Sequence, residues 1–140
     1  MKVQTHRLTY QTRGFSHVLD ITEDVKKILE SSPVRSGNLT LFVVGSTAAI
    51  STIEYEPGLV EDIQGALEKI APLKGQYAHH QRWHDDNGSA HIRATLMGPS
   101  LTVPFAEGEL FLGTWQQIVL LDFDTRPRER EVVVQVIGVE

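Results

Sequence analysis

The stretches Leu-Thr-Val-Pro-Phe-Ala-Glu-Gly-Glu-Leu-Phe-Leu at 101–112, Gln-Gln-Ile-Val-Leu-Leu-Asp-Phe at 116–123 and Val-Val-Val-Gln-Val-Ile at 132–137 decide the fold. β-Branched and aromatic residues dominate them, and such side chains suit the pleated surface of a sheet. Residues 101–105, 109–112, 116–123 and 132–137 therefore read as strands, with Ala106-Glu107-Gly108 as a hairpin turn. This half of the chain is expected to be mostly antiparallel sheet. Toward the N-terminus the pattern is mixed. Lys2–Thr12 and Phe15–Ile21 read as strands parted by Gly14. Thr22 is placed to cap a helix: Glu23 and Asp24 suit its positive end, Val25, Ile28 and Leu29 share a face, and Pro33 stops it. Leu39–Val44 is a short, bounded apolar run, which predicts a buried strand. Ile50–Glu56 reads as extended chain up to Pro57-Gly58. Leu59, Ile63, Leu67 and Ile70 then recur at helical spacing before Pro72. Gly65 inside that helix costs about 1 kcal/mol relative to Ala, and marks a candidate close-packing point. Residues 73–87 form a polar loop of a length usually reserved for function or disorder. Ser89 is a candidate cap for a short helix over 90–97, closed by Gly98 in the left-handed region, with a strand as the alternative. The sum is an α+β class, with largely antiparallel sheets and a few helices in one domain over 1–140.

Composition narrows the function classes. At 140 residues, 41% hydrophobic and 22% charged, the chain can bury a core without covalent staples. A net charge of −5 disfavours nucleic acid as a partner, because phosphate binding rests on an excess of Lys and Arg. The basic run Arg126, Arg128, Arg130 is diluted by Glu129 and Glu131 and reads as a solvated turn. With no cysteine, disulfides, zinc-thiolate centres and Cys nucleophiles are excluded, so any metal must be held by His, carboxylate or water. Met1–Arg7 lacks an apolar signal core, and no apolar run approaches the roughly 18 residues of a membrane span. The expected location is the cytoplasm, with no membrane partner.

Chemistry-bearing residues gather between Tyr77 and His91. Four of the six histidines lie there (His79, His80, His84, His91), with Asp85, Asp86 and Asn87 among them. Neutral imidazole is the commonest metal ligand and carboxylate a frequent companion. The helix start expected at Ser89 would also present amides to a phosphate, with Asn87 and Gly88 just before it as binding candidates. The competing reading is a solvated, His-rich loop. Glu54 and Glu56 alternate in an extended segment and so share a face, where they would hold a metal, move a proton, or simply be solvated. Gly45-Ser46-Thr47 breaks a strand with small residues. Its backbone amides, with Ser46 and Thr47, are candidate anion contacts, against the alternative of a plain turn. Core packing accounts for Trp115 but less readily for Gln116 and Gln117, so Gln116 stands as a binding candidate.

Taken in order, these pieces resemble the secondary thiamine-phosphate synthase (YjbQ) family. The resemblance is carried by Gly45-Ser46-Thr47-Ala48-Ala49 and Glu54-Tyr55-Glu56-Pro57-Gly58, then by Tyr77-x-His79, Trp83, Asp85-x-Asn87-Gly88 and Ala90-His91-x-Arg93-Ala94. Gly98–Pro104, Leu112–Gln117, Asp122-Phe123-Asp124 and Arg126-Pro127-Arg128 continue it to cover nearly all the chain after Gly14. The resemblance implies a homotrimer with its site near subunit boundaries, and it implies His79 and His91 as that site's histidines; His80 and His84 have no counterpart. It implies an activity, secondary in some members: joining hydroxymethylpyrimidine diphosphate to thiazole phosphate with release of diphosphate. Many members carry His-Thr-Thr where this chain has Gly45-Ser46-Thr47, so a third histidine is missing and Glu54 or Glu56 is the candidate substitute.

The expected mechanism follows. A divalent ion, magnesium or zinc, held by His79, His91 and an acid such as Glu56, binds the diphosphate of a small phosphorylated substrate. Arg93 pairs with phosphate as a bidentate fork. Glu54 or Asp85 moves a proton on the pyrimidine. Two rivals remain: a metal-dependent hydrolase of a small phosphate ester, and a non-enzymatic trimer that holds a metal or small ligand.

Overall fold

The computed structural model describes residues 1–140. Along the chain run β1 (Lys2–Thr12), β2 (His17–Asp20), α1 (Thr22–Glu30), β3 (Ser36–Val44), β4 (Ala48–Ile53), α2 (Pro57–Ile70), α3 (Ala78–Trp83), α4 (Gly88–Met97), β5 (Ser100–Ala106), β6 (Glu109–Leu110), β7 (Gln117–Asp122) and β8 (Arg128–Val139). A five-stranded sheet has the order β1-β8-β3-β5-β6, and a three-stranded sheet the order β2-β7-β4. Every pairing is antiparallel. The class is α+β.

Side-chain alternation sorts the strands into layers. From the large sheet, Leu39, Leu41, Val43, Val103, Val132, Val134 and Val136 meet Ala48, Ile50, Ile118 and Leu120 of the small sheet, with Val25 and Leu29 of α1 beside them. The intervening residues of the small sheet, Ala49, Val119 and Leu121, face Leu67 of α2 and Ala90 and Ala94 of α4. The small sheet is thus buried on both faces, which explains why Ile-Val-Leu-Leu at 118–121 reads as an unbroken apolar run. Each fully buried Leu, Ile or Val contributes roughly 1.5–3 kcal/mol. The large sheet is covered on one face only. The expectation of a wholly buried strand at Leu39–Val44 is corrected accordingly, since Phe42 and Val44 lie on the open face, about half exposed.

Other expectations are adjusted locally. Ile21, not Thr22, holds the cap position of α1, and Asp20 just before it serves the first helical residue: its Oδ1 accepts from the Thr22 amide at 3.0 Å and from the Thr22 hydroxyl at 2.6 Å. Glu56 caps α2, accepting from the Gly58 and Leu59 amides at 2.8 Å each, and Pro57 opens the helix at a position where no amide is needed. Gly65 has open space where a side chain would stand, so close packing does not explain it. The polar loop holds α3, and α4 starts at Gly88 with Asn87 in the cap position in place of Ser89. Gly98 closes α4 with φ 91° and ψ 150°, outside the left-handed helical region. The strand expected from Phe15 begins only at His17. Gly14, Phe15 and Ser16 all have positive φ, at 75°, 54° and 63°. Trp115, expected in the core, is 71% exposed.

The arginine run is the largest correction. Arg130 is buried rather than solvated. Its Nε and Nη2 donate to the two oxygens of Asp122 at 2.6 and 2.9 Å, and Nη2 also donates to Thr47 Oγ1 at 2.6 Å. Arg128 Nε donates to Asp124 Oδ2 at 2.8 Å.

Candidate functional site

The site forms where α3, α4 and the end of β7 meet. His84 takes φ 53° to close α3, and its amide returns to the His80 carbonyl at 2.8 Å. The chain then turns through Asp85, Asp86 and Asn87 into α4. That turn brings His79 on α3 against His91 on α4, with ring centroids 4.6 Å apart and planes tilted by 48°. His79 Nδ1 lies 2.9 Å from Asp85 Oδ1, but off the N–H direction, so the contact is close without being an aligned hydrogen bond.

His91 is held below the ordinary imidazole value of 6.5. Burial is the chief cause and the neighbouring His79 the second; Asp124, Asp85 and the Ser46 backbone only partly offset them. The neutral ring is therefore its resting form near pH 7. Asp124, two residues past β7, is the acid the sequence reading did not select. Burial pushes its carboxyl up, but the Thr125 amide, the Thr47 hydroxyl and Arg128 outweigh that and hold it below the usual carboxylate range. Asp122 behaves alike, with Arg130, Thr12 and the Asp124 amide outweighing its burial. The available signal was the spacing: Asp122 and Asp124 flank a buried Phe123, and Arg128 and Arg130 repeat that two-residue step on the returning strand.

Asn87 sits between two carboxylates. Its amide nitrogen reaches Asp85 at 3.1 and 3.3 Å in the better-satisfied orientation, and Asp124 Oδ1 at 3.4 Å in the other. Asp86 Oδ1 accepts from the Thr125 hydroxyl at 2.7 Å, joining the loop to the turn after β7. Asp85, Asp86, Asn87, Asp124, Thr125 and Arg126 line an opening of about 200 Å³.

Of the residues expected to act together, His79, His91, Asp85 and Asn87 converge. Ser46 lies beside His91 through its backbone. Thr47 reaches the group through its 3.0 Å hydrogen bond to Asp124. Gly88 lies at the edge, its amide donating to His80 Nε2 at 2.9 Å, which gives His80 a structural role.

The remaining candidates are elsewhere. Arg93 is buried and fully engaged: Nε and Nη2 donate to the Ala71 carbonyl, Nη1 to Ser16 Oγ and Nη2 to Glu68. It has no fork free for a phosphate. Glu54 and Glu56 do not share an extended face, because the Glu56 amide turns back to the Glu54 carbonyl at 2.9 Å. Glu56 is the α2 cap, so its carboxylate is not a ligand beside the histidines. Gln116 braces a turn, accepting from the Gly113 amide at 3.0 Å and donating to Thr52 Oγ1 at 3.1 Å. All three belong to the far end of the small sheet. Ile53 pairs with Gln117, whereas Ala48 pairs with Asp122, and five residues of strand span about 17 Å.

These positions bear on a metal. A zinc centre takes three protein ligands or more. No three His, Asp or Glu side chains gather closely enough to hold an ion. At Gly45, the position at which a third histidine was expected to be missing, φ is 150° and a Cβ would lie 2.7 Å from Arg130 Nη1. The residues present do not fit a resident zinc ion.

Fold and site together define an α+β protein with two stacked antiparallel sheets and an imidazole pair beside a small acidic opening at one end of the smaller sheet. Residues 6–139 match the family described as UPF0047 protein YjbQ-like. A UPF0047 protein of Methanothermobacter thermautotrophicus is 41% identical over 138 residues, covering 99% of this chain and 94% of its own. A UPF0047 protein of Archaeoglobus fulgidus is 40% identical, covering 93% of this chain and 98% of its own. The crystal structure of a YbjQ-like protein of unknown function from Sulfolobus solfataricus superposes with a TM-score of 0.92 at 36% identity, covering 98% of each chain. The chain belongs to the YjbQ-like UPF0047 family. The relatives establish family and fold, and none brings an activity with it.

Proposed function

We propose that the His79–His91 pair and the opening beside it form an active site for transfer chemistry on a small diphosphate ester, of the thiamine-phosphate synthase type. The observation that carries the site is the imidazole pair at 4.6 Å, with Asp85 against one ring and the other ring kept neutral. A ring set against a carboxylate, next to a ring kept neutral, offers a proton donor and an acceptor side by side. The particular reaction rests on the family resemblance.

In this reading the thiazole nitrogen forms a bond to the pyrimidine methylene carbon. The carbon–oxygen bond breaks, and diphosphate leaves with the electron pair. His79, backed by Asp85, delivers a proton to the departing oxygen. His91 accepts a hydrogen bond from the pyrimidine amine. Asn87 keeps Asp85 in place, and Arg126, with no ion pair of its own, meets a phosphate. Three carboxylates, Asp85, Asp86 and Asp124, flank the opening. They would repel a bare anion, so the diphosphate enters as its magnesium complex, the ion arriving with the substrate rather than from a protein cage. Arg93, Glu54, Glu56 and Gln116 have no part in the step. The chain works in the cytoplasm as a homotrimer; the exposed Trp83 and Leu96 beside the site are suited to a subunit boundary.

Purified protein with both substrates and magnesium should form thiamine phosphate. Light scattering should give three times the chain mass. No product above background from an intact trimer contradicts the transfer reading. Phosphate release from simple esters without the second substrate would favour the hydrolase, and tight binding without turnover the binding module.

A further inference from the structure

We infer that the cleft between Phe15 and the turn at Leu73-Lys74-Gly75 is a binding subsite for a flat aromatic ring that carries an anionic group. The cleft has a volume of about 360 Å³ and is lined by Phe15, Leu73, Lys74, His80, Asp86 and Thr125, among others. That is the small end of the range for ligand pockets. Asp86 and Thr125 also line the opening beside Asp85 and Asp124, so the two cavities are neighbours that share a wall. The inference rests on the proposed reaction only for the direction in which the ligand's other end points.

Both walls are held rigid by one buried side chain. Arg93 donates to Ser16 Oγ at 2.9 Å on the Phe15 side. On the opposite side it donates to the Ala71 carbonyl and, at 2.7 Å, to Glu68 Oε2. The Glu68 carboxylate in turn accepts from the Leu73 amide at 3.1 and 3.2 Å. Tyr77 clamps the turn: its hydroxyl donates to the Pro72 carbonyl at 2.6 Å, and its ring fills the space where side chains at Gly75 and Gly88 would stand. A cleft fixed before binding loses little entropy when filled.

Phe15 is the unusual wall. Its φ is 54°, a region that bulky residues rarely adopt, and yet the ring is more than half exposed. The backbone is over-determined there. The Phe15 amide donates to the Asp124 carbonyl at 2.7 Å, and the Ser16 carbonyl accepts from Gln64 Nε2 at 2.8 Å. A strained main chain that keeps an aromatic ring in a cleft, instead of burying it, is explained by a ring stacked upon it. Lys74 forms no ion pair within the chain and supplies the charge for an anion. His80 Nε2 accepts from the Gly88 amide at 2.9 Å, so the imidazole proton is on Nδ1, which is a donor. Asp86 has one oxygen engaged by Thr125 and one free. Donor and acceptor in the same cleft suit the polar edge of a heteroaromatic ring.

Titrating the full chain with phenyl phosphate, cyclohexyl phosphate and inorganic phosphate, read by calorimetry, tests this without reference to turnover. Phenyl phosphate should bind about tenfold tighter than either other probe. Phe15→Gly should abolish that preference. Its unfolding midpoint should hold or rise, because glycine adopts this φ freely. Lys74→Gln should weaken phenyl and cyclohexyl phosphate by the same factor. Phenyl phosphate binding no tighter than cyclohexyl phosphate would overturn the inference, as would undiminished phenyl phosphate binding by Phe15→Gly or Lys74→Gln.

Discussion

The two ends of the small sheet carry similar residues put to different uses. At one end Asp122 and Asp124 stand with Thr47, Arg128 and Arg130 in a buried network against His91. At the other, Glu54, Glu56 and Gln116 lie in solvent, where Glu56 caps a helix and Gln116 braces a turn. Composition does not separate these ends; burial does. A carboxylate taken out of water must be paired, and the pairing that satisfies it also fixes the geometry next to it. Acids in water need no partner and are free to serve local backbone.

The largest expected effect follows from that contrast. Arg130→Ala leaves Asp122 buried without its counter-charge and should destabilise the chain by about 3–5 kcal/mol in urea unfolding. Gln116→Ala at the far end should change stability by no more than about 0.5 kcal/mol. Equal costs would erase the distinction between the ends. Turnover should separate them as well: His91→Ala should lower it by about 100-fold, whereas Glu54→Gln leaves it near the parent value.

Acid sharpens the same comparison. The Asp122 and Asp124 carboxyls are held below their ordinary value of 3.8 in the folded chain. Their contribution to stability is complete above that pH and is lost as pH falls through the folded values. Arg130→Met should flatten this acid limb, while Glu54→Gln should leave it intact. Smaller effects belong to the helix between the two ends. Glu56→Ala should lower the unfolding midpoint slightly through the lost cap, without affecting turnover. Gly65→Ala should stabilise by about 0.4–1 kcal/mol, since the position is open. Loss of activity in Glu56→Ala would place the far end in the site after all.

Much of the fold was legible because local pattern and layer agree. Leu101–Phe105 alternates, and Ile118–Leu121 does not, as one-sided and two-sided burial require. Leu39–Val44 misled because Phe42 and Val44 are apolar yet lie on the open face of the large sheet. Within the site, the histidines and Asp85 were legible because they crowd one segment. Arg93 and Glu56 were not, since a free arginine and a bidentate buried one are written alike, and a capping carboxylate looks the same in sequence as a ligand. Asp124 and Arg130 flank the short turn between β7 and β8, whose strands lie in different sheets, and Glu129 and Glu131 disguised the latter as surface.

Proton NMR titration of the histidine ring resonances, in the parent and in His79→Ala, tests the imidazole pair most directly. His91 should be half-protonated below pH 6.5 in the parent, with that midpoint displaced upward once His79 is removed. A midpoint at or above 6.5 that ignores the loss of His79 would mean the two rings share no environment, and no site.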